Sequence, residues 1–269
     1  MEACYFGTDE HQLYGVVHND VDAASTALVA CPPFAEEMVT TYARFARWSK
    51  QLAKEGVPVV RFHPFGTGES GGSFRDFTLE SAVNDMTAAG DLARKRLAPK
   101  RLGYFGLRLG ATLAVRAACR QPVDLLVLWS PVLDMSHYLR DLFRTQLSKE
   151  MVVQGANQVK RNTKDMIAQL ESAKSIDLLG FDFSLQLYKE MSEPWKFPET
   201  APAKHVIWLA RPTEEKNAKP IAERWREAGS RVDFAVWPEP AFWEEYGSSF
   251  ADRFAADTLK WMKESTESR

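Results

Sequence analysis

The sequence predicts an α/β fold, a mostly parallel twisted sheet with helices on both faces, and three observations carry that prediction. Short apolar runs of the kind buried in parallel sheets recur along the chain and alternate with segments of helical periodicity. Two of these runs end in glycine-rich turns, at 65–72 and 106–110, that lead directly into helical segments. The alternation then stops between residues 131 and 202 and resumes after it. Strands alternating with helices imply right-handed crossovers and a sheet covered on both sides. A chain of 269 residues therefore reads as one core, 1–130 and 203–269, interrupted by a helical cap, 131–202.

The elements follow in order. Ala3 to Phe6 and Gln12 to His18 alternate in polarity around the turn-prone Gly7-Thr8-Asp9-Glu10, which predicts a hairpin. Thr26 to Cys31 is a short apolar strand that ends at Pro32-Pro33. A helix is expected from Val39 to Ala53, with Tyr42, Phe45, Ala46, Ser49 and Leu52 on its buried face. Val57 to Phe62 is the next strand, and the turn Phe65 to Gly72 leads to a helix over Leu79 to Leu97. Arg101 to Phe105 is strand-like and passes through Gly106-Leu107-Arg108-Leu109-Gly110 into the Ala-rich helix Ala111 to Cys119. Asp124 to Trp129 is a further buried strand.

From Pro131 to Pro202 the pattern is helical with no convincing strand, and its Met135, Met151, Met166, Met191, Phe143, Phe181, Phe183, Tyr188 and Trp195 suit core packing. After it, His205 to Ala210 and Arg231 to Trp237 are strands, and Asn217 to Ala228 and Ser248 to Lys263 are helices.

Composition bounds the partners. With 34 Lys and Arg against 36 Asp and Glu, the formal net charge is -2. No overall field attracts nucleic acid or an anionic membrane, so the expected partners are small molecules or another protein. Cys4, Cys31 and Cys119 are odd in number and far apart, which offers neither a disulfide framework nor zinc spacing. No window approaches the ~20 apolar residues of a membrane span. The first residues, MEACYFGTDE, lack the basic start and apolar run of a secretion signal. A cytoplasmic, reduced protein without metal or cofactor is expected.

Strand, Gly-x-x-x-Gly, helix is the frame of a nucleophile elbow, in which small residues permit a sharp turn that lifts the central side chain above the sheet. Here that frame, Gly106 to Gly110, follows the third strand of the parallel series, and the cap comes after the fourth. The Pro32-Pro33-Phe34-Ala35-Glu36-Glu37 turn stands where an oxyanion loop would be, and Gly66-Thr67-Gly68-Glu69-Ser70 follows the next strand. Across essentially the whole chain this resembles the α/β-hydrolase fold. Pro-Pro-Phe-Ala-Glu-Glu-Met at 32–38 and Gly-Leu-Arg-Leu-Gly-Ala at 106–111 further resemble the hydrolase-like proteins of type 2 associated with exosortase A systems in exopolysaccharide-producing bacteria. That resemblance implies a cytoplasmic accessory protein with an α/β-hydrolase fold, a possible protein partner in polysaccharide assembly, and no particular substrate.

The departures from the pattern bear on chemistry. The elbow apex is Arg108, and a guanidinium cannot serve as a nucleophile. The triad histidine belongs after the last strand, where the chain reads Trp237 to Trp243 without one. The supporting acid has only Glu214 or Glu215 as a stand-in. His11, His18 and His205 are expected to be structural. His63 closes a strand on the same edge as Arg108 and either fixes the adjacent turn or faces the site, and His137 begins the cap near Asp134.

A cation at a helix start meets the positive end of the dipole, so Arg108 requires a counter-charge. The candidates are Glu36, Glu37, Asp134 and Glu239, with Glu37 or Glu36 favoured because a carboxylate pair would knit the elbow to the oxyanion-type loop. The pair either replaces the triad as a staple or, with Phe34, Ala35, Leu109 and Trp243 around it, forms part of a ligand site for an anionic or acylated small molecule.

Three functions are carried forward. One is a non-catalytic or weakly catalytic accessory protein binding such a ligand. The second is a hydrolase or acyltransferase using Cys31 or Ser130 as nucleophile and His63 or His137 as base. The third is an interaction module presenting Trp237, Phe242, Trp243 and Tyr246.

Overall fold

The computed structural model describes residues 1–21, 24–155, 158–237, 241–244 and 256–262. Strands β1 (Glu2–Gly7) and β2 (Gln12–His18) form the predicted hairpin. The series continues with β3 (Thr26–Cys31), helix α1 (Ala35–Lys54), β4 (Val59–His63), α2 (Leu79–Leu97), β5 (Arg101–Leu107), α3 (Leu109–Arg120) and β6 (Val123–Trp129). The insertion holds α4 (Met135–Gln154), α5 (Thr163–Ala173), β7 (Ser175–Leu178), β8 (Phe181–Ser184) and α6 (Leu185–Ser192). The core resumes with β9 (Ala203–Ala210), α7 (Pro212–Glu227) and β10 (Arg231–Val236). Residues 256–262, the described part of the expected last helix, are helical.

Eight strands make one sheet in the order β1-β2-β4-β3-β5-β6-β9-β10. The first three strands in that order pair antiparallel, and every pairing from β4 to β10 is parallel. The parallel strands are apolar on both faces because both faces are covered. Ala27, Val29 and Cys31 point into one core with α2, α3 and α7, while Leu28 and Ala30 point into a second with α1 and the 256–262 helix. All six parallel strands end at the same edge. Cys31, His63, Leu107, Trp129, Ala210 and Val236 terminate there, and the loops beyond them can build a common site.

Three expectations are corrected. The cap contains a two-stranded hairpin where no strand was expected. Ile176, Leu178, Phe181 and Phe183 alternate around a two-residue turn, Leu179-Gly180, whose φ angles of 58° and 85° are those of a hairpin turn with leucine in the place of the usual asparagine. Helix α1 begins at Ala35, and its buried stripe is Thr41, Arg44, Phe45, Trp48, Ser49 and Leu52, so Tyr42 lies outside. Helix α7 begins at Pro212, whose fixed φ suits a first turn, and runs through Pro220. No helix among the described residues is long and apolar enough to cross a membrane.

The cap aromatics and methionines mostly pack inward. Met166, Met191, Phe143 and Phe183 are buried in the same core as α2 and α3, whereas Met151 is exposed at the end of α4. Trp237, Phe242 and Trp243 are likewise buried, which removes them from any contact surface. Tyr246 and Glu239 lie outside the described residues.

Candidate ligand site at the elbow

The elbow exists because two glycines let three pieces of backbone meet. A Cβ on Gly106 would stand 2.3 Å from the Gly110 carbonyl oxygen, and one on Gly110 would stand 2.4 Å from the Pro32 oxygen and 2.7 Å from that of Cys31. Helix α3 therefore starts hard against the end of β3. Between the two glycines Arg108 takes φ 55° and ψ -124°, a strained conformation for a residue with a side chain. Its N–H donates to the Trp129 carbonyl at 2.9 Å, and its own carbonyl accepts from Ala111 and Thr112. The turn is fixed from both sides, and the guanidinium stands above the carboxyl edge of the sheet.

Two carboxylates, from the first turns of α1 and α7, hold that guanidinium. Arg108 Nε donates to Glu37 Oε1 at 3.1 Å, and Nη1 donates to Glu214 Oε1 at 3.2 Å and to the Ser130 carbonyl at 3.3 Å. The Tyr138 hydroxyl of the cap donates to the other oxygen of Glu37 at 3.0 Å. Glu214 is shared further. It accepts from Ser130 Oγ at 2.5 Å on both oxygens, from the Arg211 N–H at 3.1 Å and from Arg211 Nε at 3.3 Å. The guanidinium carbons of Arg108 and Arg211 each lie 5.2 Å from the centre of the Trp243 ring.

Burial sets the electrostatics of this cluster. It alone would lower the pKa of Arg108, but Glu37, Tyr138 and Glu214 outweigh it and hold the guanidinium more firmly charged than usual. Burial pushes the Glu37 carboxyl up, with Arg108 and its hydrogen bonds working against that. The Tyr138 hydroxyl is pushed well above its ordinary range by burial and by the neighbouring Glu37. It stays a hydrogen-bond donor.

Of the counter-charges expected for Arg108, Glu37 reaches it. Glu36 turns away to Lys149 of the cap. Asp134 caps α4 instead, accepting from the His137 N–H at 2.8 Å. Glu214 is the partner sequence reasoning did not pair with Arg108, although its place after β9 had marked it as the stand-in acid. An anion site at Arg108 is disfavoured by this arrangement, because an incoming anion would have to compete with two carboxylates already in place.

Two clefts open on either side of the Arg108–Tyr138 contact. One, about 360 Å³, lies between the start of α1, the cap helix α4 and Trp243. The other, about 470 Å³, lies between residues 131–134, the start of α4 and the start of α7. Both are bordered by Arg108, Tyr138, Asp141 and Arg211. Phe34, Glu36, Glu37 and Trp243 line the first, and Asp134 and His137 line the second. Ala35, at φ 49°, and the fully buried Leu109 border a small apolar hollow beneath rather than either cleft.

The alternative nucleophiles and bases are placed apart. Cys31 is fully buried and its thiol is pushed far up by burial, then by Asp85, which leaves no thiolate for attack. Ser130 Oγ is committed to Glu214 and buried. His63 accepts from the Glu69 N–H at 3.0 Å, and a Cβ on Gly68 would fall 2.2 Å from its Nδ1, so it braces the glycine-rich turn. His137 is exposed and pairs with Asp141 at 3.1 Å. Neither Cys31 nor Ser130 has a hydrogen bond to histidine among the described residues. The remaining three histidines are tied elsewhere: His11 to Asp85, His18 to Arg61 and His205 to Asp233.

Comparison with known proteins places this geometry. The family model for serine aminopeptidases, S33, matches residues 29–193, more than half of the chain. No curated protein matches the chain. Similar solved structures include the complex of DcsB with its substrate analogue, at TM-score 0.66 and 15% identity over 98% of each chain. An esterase of Pyrococcus furiosus is similar at TM-score 0.65 and 15% identity, over 98% of this chain and 90% of its own. A carboxyl esterase of Bacillus coagulans has TM-score 0.65 and 9% identity over 97% of each chain. At such identities these neighbours establish the α/β-hydrolase fold alone. With its sheet order, its elbow and the extent of the family match, the chain belongs to the S33 serine aminopeptidase family of α/β-hydrolases, carrying arginine at the apex of the elbow.

Proposed function

We propose that this chain is a non-nucleophilic member of its family, a hydrolase scaffold that holds a small molecule between core and cap without cleaving it. The single observation that carries this reading is Arg108. It occupies the nucleophile position on a retained elbow, its guanidinium is held by Glu37 and Glu214, and residues 237–255 contain no histidine to act as base. The motif resemblance to exosortase-associated hydrolase-like proteins supports an accessory role in exopolysaccharide assembly, with a protein partner in that machinery. Three free cysteines suit a reducing cytoplasm.

A second reading is a hydrolase or acyltransferase with a relocated nucleophile. It is favoured by the family match and by the contact of Ser130 Oγ with Glu214, the one hydroxyl at a described strand end that touches a carboxylate of the site. The two readings are separated by assaying the wild type, Ser130→Ala and Cys31→Ala against p-nitrophenyl acetate, p-nitrophenyl octanoate and acyl thioesters. The non-nucleophilic reading expects no turnover above a buffer control in any of the three. Wild-type turnover abolished by Ser130→Ala overturns it.

A further inference from the structure

The guanidinium of Arg108 has spent its charge but not its hydrogen bonds. Of its five N–H donors, the one on Nε goes to Glu37 and those on Nη1 go to Glu214 and the Ser130 carbonyl. Nη2 hydrogen-bonds to nothing among the described residues, and Arg108 borders both clefts with 14% of its side chain exposed. Two directed donors thus remain on a cation already faced by two carboxylates. Such a group rejects an approaching anion, which would meet the fields of Glu37 and Glu214, yet still favours a neutral oxygen acceptor.

The walls narrow the ligand further. Thr145 on one side and Thr213 and Asn217 on the other offer both donors and acceptors, while Lys149 and the Thr40 hydroxyl hydrogen are already engaged by Glu36. A hydroxyl group uses both functions at once, and apolar side chains such as Phe34, Leu142, Trp243 and Val132 stand in the same walls. Both clefts fall within the ~300–1,000 Å³ range of small-molecule sites.

We propose that the paired clefts around Arg108 bind a neutral polyhydroxylated compound, a mono- to trisaccharide, through Arg108 Nη2. This rests on the reading of the chain as a binding protein and names its ligand class. The anionic ligand expected from sequence gives way to a neutral one because Glu214 joins Glu37 at the guanidinium.

The test uses saturation-transfer NMR and calorimetry on the full chain. The neutral probes are glucose, galactose, maltose, cellobiose and maltotriose, and the anionic probes are glucuronate, glucose 6-phosphate and inorganic phosphate. The expected result is binding of at least one neutral sugar, undiminished by 10 mM phosphate, and at least tenfold weaker binding in Arg108→Lys, which keeps the positive charge but lacks the second nitrogen. Thermal melting of Arg108→Lys is measured alongside. If that variant fails to fold, the probe competition in the wild type decides alone.

Binding of the anionic probes in preference to their neutral counterparts overturns the proposal, as does binding of none of the sugars. Ester turnover in the preceding assay would overturn the non-nucleophilic reading by a separate measurement, so the two failures are distinguishable.

Discussion

Arg108 and Glu214 form a 3.2 Å ion pair that joins the elbow after β5 to the first turn of α7. In a working triad the nucleophile and acid stand in these two loops and a histidine bridges them. Here the cation reaches the acid directly, and Trp243 from the loop after β10 lies against the guanidinium. One long side chain thus spans the distance that two catalytic groups would divide. The arrangement holds the loops together and puts a guanidinium, which cannot be acylated as a nucleophile would be, at the apex of the elbow.

Removing that side chain is expected to be costly. Arg108→Ala leaves Glu37 and Glu214, both mostly buried, without their shared cation. Breaking a buried pair in this way costs about 3–5 kcal/mol, offset by little, since alanine inherits the strained φ of 55°. Urea denaturation should show the loss, and the triple variant Arg108→Met, Glu37→Gln, Glu214→Gln should regain part of it. A loss below about 1 kcal/mol in Arg108→Ala would mean that the network does not hold the elbow.

The fold was legible in the sequence for a physical reason, and the site only in part. Thr26–Cys31 and Val123–Trp129 are covered on both faces, so their apolar runs carry their own boundaries. The elbow was legible because Gly106 and Gly110 answer steric demands that other residues cannot meet. The cap hairpin was hidden by its Leu179-Gly180 turn, whose first position holds leucine in place of the usual asparagine. The pairing of Arg108 with Glu37 followed from the need to neutralise a cation at a helix start. Its pairing with Glu214 was missed because a residue expected to support a base was not considered as the partner of the apex itself. The signal was present in the fold pattern, which brings the loops after β5 and β9 to the same edge across β6.

Gly110→Ala tests the packing at the elbow independently of charge. Its Cβ would meet two backbone oxygens, of Pro32 and Cys31, and neither can rotate away as a side chain could. The expected cost is about 1–3 kcal/mol from overpacking, read as a lower urea midpoint with unchanged slope. A variant as stable as the wild type would show that α3 and the end of β3 can separate at no cost.

His18 makes stability depend on pH. It is buried and its Nε2 accepts from Arg61 Nε at 3.1 Å, so the native ring is neutral. Burial first, and Arg61 second, lower its pKa to about 4 from the ordinary 6.5. As pH falls from 6.5 toward 4 the unfolded chain takes up a proton that the native chain refuses, and stability declines across that window. The loss is at most roughly 3 kcal/mol at ~1.4 kcal/mol per unit. His63, lowered in the same direction by burial, adds to the slope. His18→Gln retains an acceptor for Arg61 without titrating, so its stability should fall less between pH 7 and pH 4.5. Parallel pH profiles for the two proteins would exclude His18 as the source.

Two of the polar contacts that tie the cap to the core differ in quality and make a paired prediction. Tyr138 donates to Glu37 at 3.0 Å in a buried setting, where the carboxylate also serves Arg108. Lys149 pairs with Glu36, but with about half of the lysine side chain and a third of the glutamate exposed. Tyr138→Phe removes a hydrogen bond to a charged group that water cannot readily replace, at a cost of about 1.5–3 kcal/mol. Lys149→Met removes a solvent-screened pair worth at most ~1 kcal/mol, and high salt should already weaken it in the wild type. Hydrogen exchange in α4 resolves the two effects. Faster exchange is expected over 135–142 in Tyr138→Phe, with little change in Lys149→Met. Equal effects from both substitutions would show that the cap is held by its apolar contacts with the core, and that the Tyr138–Glu37–Arg108 chain is not its principal polar tie.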